Sequence, residues 1–137
     1  MVGAVTSIAI LLAIATLHAY WASGGTFGKD AAIPERNGQP ILRPSPIITY
    51  LLAGCFAVAA LVIAMRAGLV PSAAFGSLPH LATWALAAIF AVRAVGDFRY
   101  VGFFKRVRGT QFSRLDTALY SPLCCLLALL IADAAQM

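Results

Sequence analysis

The residues from Met1 to Ala22 form an apolar run that contains no charged side chain; the first in the sequence is Lys29. As an α-helix this run would be about 33 Å long, enough to cross the hydrocarbon core of a bilayer. A secretory signal peptide is the competing reading. The basic n-region of such a peptide is missing, however, and the WASGG at its end is a poor cleavage site, so the run is expected to be retained as a transmembrane helix.

Three more apolar segments follow, and they fix the class. Ser45-Pro46 supplies a helix start, serine as N-cap and proline at the first helical position, for a span over about 46–66. A third span is expected over about 78–98, after the breakers Pro71, Gly76 and Pro79. A fourth is expected over about 114–134, with Ser113 and Asp116 as a capping pair and a kink at Pro122. With 61% apolar and 11% charged residues in 137, the chain is far from the composition of a soluble domain. The expectation is an all-α, membrane-embedded four-helix bundle in which residues 1–137 make a single transmembrane domain. The stretch from Lys29 to Pro46 reads as a loop, with Asn37-Gly38 as a tight turn.

Charge is concentrated at one place. Six of the ten basic residues lie between Arg93 and Asp116, in RAVGDFRYVGFFKRVRGTQFSRLD. Within it Phe98, Val101, Phe104 and Val107 recur every three residues, the pattern of a short interfacial amphipathic helix between helices three and four. Lys105, Arg106 and Arg108 are expected to anchor that segment at the membrane surface. With four spans, nine basic residues share one side and Arg66 stands alone on the other. The positive-inside rule therefore places loops one and three in the cytoplasm and both termini outside. Basic residues set between apolar segments point to anionic lipid, not nucleic acid.

The topology brings the end of helix one, the end of helix three and the start of helix four to similar depth. Candidate ligand-binding residues are His18, Tyr20, Trp21, Arg93, Asp97, Arg99, Asp116 and Tyr120, with Ser121 beside them. Arginines at the membrane edge grip anionic oxygens, Asp97 would orient one of them, and His18 is available for proton transfer. Each has a plainer reading. Arg93 and Asp97, four residues apart, fit an ion pair that ends the helix. Asp116 fits a cap, His18 a hydrogen-bonded interfacial residue, and the tyrosines and Trp21 an aromatic belt. Cys55, Cys124 and Cys125 lie in apolar surroundings without a CxxC or Cys/His spacing, so neither a metal site nor thiol chemistry is supported. His80 and Trp84 carry no assigned role. No nucleotide-binding or hydrolase motif is present, and no cofactor is indicated.

Taken together, LHAYWASGG, the Arg93–Asp116 stretch and LYSPLC resemble the bacterial family of unknown function numbered 3995, over essentially the whole chain. The resemblance implies a small four-helix inner-membrane protein and carries no activity with it. The expected function is a non-enzymatic binding or accessory subunit with an anionic-lipid or small-ligand site at its cytoplasmic end, working with membrane lipids, a larger complex or copies of itself. The alternatives are a membrane enzyme acting on a lipid or isoprenoid, and a small transporter or channel. For the enzyme, His18 and Asp97 should meet; for the transporter, a polar route should cross the bundle.

Overall fold

Four helices make up the computed structural model, which describes residues 1–137: α1 (Val2–Ala22), α2 (Pro46–Arg66), α3 (Leu78–Val95) and α4 (Gln111–Ala135). Each is long and apolar enough to cross a membrane, and the chain is a multi-pass membrane protein by that criterion. The Ser45 Oγ accepts from the Ile48 N–H, and Pro46 opens α2. At the C-termini of α1 and α2 the chain closes in Schellman motifs, with Gly25 N–H donating to the Tyr20 carbonyl and Leu69 N–H to that of Ala64. Backbone groups are thus satisfied where water gives way to lipid.

The helices run up and down, α1 packing along α2 and α3 along α4, with α1–α4 and α2–α3 contacts completing the bundle. Leu11, Ile63, Phe90, Leu127 and Ile131 fill the core, separated by alanines such as Ala4, Ala60 and Ala134 that let the backbones approach. Large apolar residues including Leu51, Leu81, Ile89 and Leu129 point outward, as lipid-facing positions should. At one end Arg66 donates through Nε and Nη2 to the Ala135 carbonyl, tying α2 to the last turn of α4. At the other end lie loop one and the segment between α3 and α4. In loop one Asn37 and Gly38, both with positive φ, turn the two-stranded hairpin β1 (Glu35–Arg36) and β2 (Gln39–Pro40).

Two expectations about the second half are corrected. α3 stops at Val95, and the segment over 98–107 is an irregular loop, not an amphipathic helix. That loop folds back on the end of α3: Phe103 and Phe104 N–H groups donate to the carbonyls of Ala94 and Val95. Gly96 and Gly102 meet backbone to backbone at its neck, where a Cβ on Gly102 would overlap the Val95 carbonyl and one on Gly96 that of Val101. Only glycine fits there.

The second correction concerns α4, which begins at Gln111 with Thr110 as N-cap, its side chain accepting from Ser113 N–H. Ser113 and Asp116 therefore form no capping pair. In the turn before Pro122, where a kink is expected, Asp116–Tyr120 is a π-turn and Ser121 N–H donates to the Asp116 carbonyl five residues back. Proline has no N–H and crowds the carbonyl four residues before it, so a wider turn here relieves both problems.

Candidate functional site

Asp116 stands at the centre of the loop-bearing end and is fully buried. Its Oδ1 accepts from Arg93 Nη2 at 3.0 Å. Its Oδ2 accepts from the Gly102 N–H at 2.8 Å, from Lys105 Nζ at 3.0 Å and from Ser121 Oγ at 3.2 Å. The π-turn sets this up, because it stacks Ser121 above Asp116. Residues from α3, the loop and both halves of α4 thus converge on one carboxylate.

Lys105, expected at the membrane surface, is instead 3% exposed. All three of its ammonium hydrogens have acceptors: the Gly102 carbonyl, Asp116 Oδ2 and Thr117 Oγ1. It is the only lysine in the Arg93–Asp116 stretch, and that was the available signal. A compact ammonium with three rotatable donors fits a three-acceptor socket that a planar guanidinium cannot. Arg106 and Arg108 are exposed at the loop surface.

Arg93 differs from its neighbours. Its Nη1 is enclosed without any hydrogen-bond partner, while 34% of its side chain remains open to the outside. The cluster holds two cations against one carboxylate, and Asp116 and Lys105 are satisfied. The excess positive charge falls on the one member still short of acceptors.

Asp97 does not pair with Arg93. Its Oδ1 accepts from the N–H groups of Arg99, Tyr100 and Val101 at 2.7–2.9 Å, closing the turn after α3. Desolvation, the largest single influence, opposes its charge, but the N–H donors of Val101, Arg99 and Tyr100 together prevail and hold the carboxyl below the usual aspartate range. Arg99 lies over the Tyr100 ring at 5.1 Å. Phe98, between Asp97 and Arg99, has φ +60, an outlier for a bulky side chain.

The remaining candidates lie apart from this cluster. His18 Nδ1 donates to the Ile14 carbonyl at 2.8 Å, and its ring packs against Trp21 and Phe56 on the α1–α2 seam. Trp21 Nε1 donates to the Phe27 carbonyl, and the Tyr20 ring lies against Gly25. The Tyr120 hydroxyl donates to the Ala31 carbonyl and fastens loop one to α4, as does Glu35, whose Oε1 accepts from the Gln111 N–H. His18 and Asp97 share no hydrogen bond. Inside the bundle the hydroxyls of Ser7 and Thr83 donate to carbonyls of their own helices. No three His, Cys, Asp or Glu side chains gather to ligate a metal, and all three cysteines are free.

No curated protein and no solved structure matches the chain. A family does: residues 11–131 fit the one described as "Protein of unknown function (DUF3995)", and this four-helix membrane protein belongs to it.

Proposed function

We propose that the protein is a non-enzymatic binding subunit of the bacterial inner membrane that holds an anionic group, a lipid headgroup or a small anion, at Arg93. The carrying observation is the unequal satisfaction of the buried cluster. Asp116 and Lys105 have complete sets of partners, Arg93 Nη1 has none, and the cluster carries one positive charge in excess. An ionisable group at the membrane edge is costly unless it is paired or serves a ligand, and an anion that meets the exposed third of the Arg93 side chain and accepts a charge-assisted hydrogen bond from its guanidinium answers both needs. Nine of the ten basic residues lie at this end of the bundle, so an anion is drawn there from a distance. The same asymmetry supports an orientation with the basic end cytoplasmic and both termini periplasmic.

The test is to extract the protein with native lipids into nanodiscs and identify retained anionic species by native mass spectrometry, with Arg93→Ala beside Arg66→Ala as the control at the opposite end. Wild type and Arg66→Ala should retain an anionic species that Arg93→Ala loses. Equal retention by all three would show that Arg93 is only a structural partner of Asp116. The orientation is read separately, from alkaline phosphatase fused to the C-terminus, which should be active if that terminus is periplasmic.

A further inference from the structure

We infer that the anion is the headgroup of a membrane lipid whose acyl chain lies in the groove between α2 and α3, an inference that rests on the Arg93 reading above. The groove has a volume of about 810 Å³ and no charged residue in its wall. It exists because small residues face one another across it, Gly54 from α2 and Ala82 and Ala85 from α3. A Cβ placed on Gly54 would meet nothing within 4 Å.

The groove points at the cluster. Ala82, Leu86 and Ile89 line it, and Arg93 follows at spacings of four, three and four, which is one stripe of an α-helix. Arg93 is thus one turn beyond the last wall residue of α3, on the same stripe. From Ala82 to Arg93 the helix rises about 16 Å, close to one leaflet of a hydrocarbon core of about 30 Å. An occupant that suits both features is apolar along its length and anionic at one end. A second copy of the chain suits the groove but not its mouth. Copies inserted in the same direction would set two basic ends side by side, each with nine cations against four carboxylates.

The full chain is reconstituted in phosphatidylcholine nanodiscs doped with phosphatidylglycerol, and retained lipids are counted by native mass spectrometry. The variants are Arg93→Ala, Arg93→Lys and the groove-filling pair Gly54→Leu/Ala85→Leu, both at exposed positions outside the core. Helical circular dichroism checks folding, and Arg93→Lys keeps a cation beside Asp116 should the alanine variant fail to fold. Wild type should retain one phosphatidylglycerol in preference to phosphatidylcholine. Losing a charge-assisted bond should weaken retention about tenfold in Arg93→Ala. Arg93→Lys, without the fork, should also bind more weakly. Filling the groove should release the lipid too, and added inorganic phosphate should not displace it.

If the groove-filled protein keeps phosphatidylglycerol while the Arg93 variants lose it, or if phosphate alone displaces it, the anion site stands and the acyl-chain inference is wrong. If both lipids are retained equally and Arg93 is immaterial, both readings fail. A dimer that dissociates when the groove is filled would show that a second copy occupies it, which also overturns the inference.

Discussion

Replacing Asp116 with asparagine removes one charge and almost no volume, and it should be among the most damaging single changes in the protein. The carboxylate accepts four hydrogen bonds, one at Oδ1 and three at Oδ2. An asparagine can put its carbonyl oxygen at only one of these positions. Placed at the Oδ2 site, it keeps Gly102, Lys105 and Ser121 but turns an amide N–H₂ toward the Arg93 donor; flipped, it loses three acceptors to keep one. In either case two cations remain around a neutral group. Removing one partner of a buried ion pair costs about 3–5 kcal/mol, and helix propensity adds little because aspartate and asparagine are nearly equal. The assay is unfolding from dodecyl maltoside micelles by increasing mole fraction of dodecyl sulfate, followed by helical circular dichroism. Lys105→Met on the Asp116→Asn background removes the second stranded cation and should recover at least about 1 kcal/mol, a coupling within the usual range for contacting groups. If Asp116→Asn unfolds within about 1 kcal/mol of wild type, a scale set by an ordinary neutral hydrogen bond, or if the second change recovers nothing, the carboxylate does not bind the cluster together.

Lys105→Arg keeps the charge but not the shape, and in the same unfolding assay it should lose about 1–3 kcal/mol, in the range of overpacking and unmet hydrogen bonds. Gly102→Ala places a Cβ against the Val95 carbonyl; it should open the loop, seen as faster hydrogen exchange at the Phe103 and Phe104 amides, and unchanged exchange there would refute the packing. Asp97 has its carboxyl held below the ordinary value of 3.8, so its support of the loop is complete above that value and is lost as pH falls through the lower folded-state pKa. Amide resonances of Arg99, Tyr100 and Val101 should therefore shift together with a midpoint below 3.8, and a midpoint at or above it would contradict the turn. Arg66→Ala uncaps the last turn of α4 and should cost about 1–2 kcal/mol in dodecyl sulfate unfolding, without altering retained lipid.

Much of the bundle is readable from local signals. Long uncharged runs mark the helices, Ser45-Pro46 marks the entry to α2, and Asn37-Gly38 marks the hairpin. The segment after α3 misleads because an apolar residue every third position over ten residues fits a helix, while the features that forbid one are glycines whose reason is tertiary. Gly96 and Gly102 are needed only because two backbones cross there, and no periodicity reports a crossing. Asp116 misleads for a related reason. A serine three residues before an acid near a helix start is a local capping pattern, whereas its real partners are 23 and 11 residues away, at Arg93 and Lys105. Of the residues grouped by depth, Arg93, Asp116 and Ser121 do come together. His18, Tyr20 and Trp21 do not, because depth says nothing about which neighbour a helix face turns toward.

The π-turn in α4 can be described as a helix carrying one surplus residue. An uninterrupted α-helix would put Asp116 on the stripe of Leu127, eleven residues on, whereas the surplus turns it by about 100° onto the stripe of Ser121. Deleting an exposed residue of that turn, Ala118, would restore ordinary helical spacing and leave Asp116 directly over Ser121, four positions apart instead of five. Pro122 would then crowd a regular helix, at a cost of about 3 kcal/mol. The deletion combined with Pro122→Ala should therefore be far better tolerated than the deletion alone. Chains one residue shorter here and without the proline can build the same cluster, so an alignment gap at this place is compatible with an unchanged site.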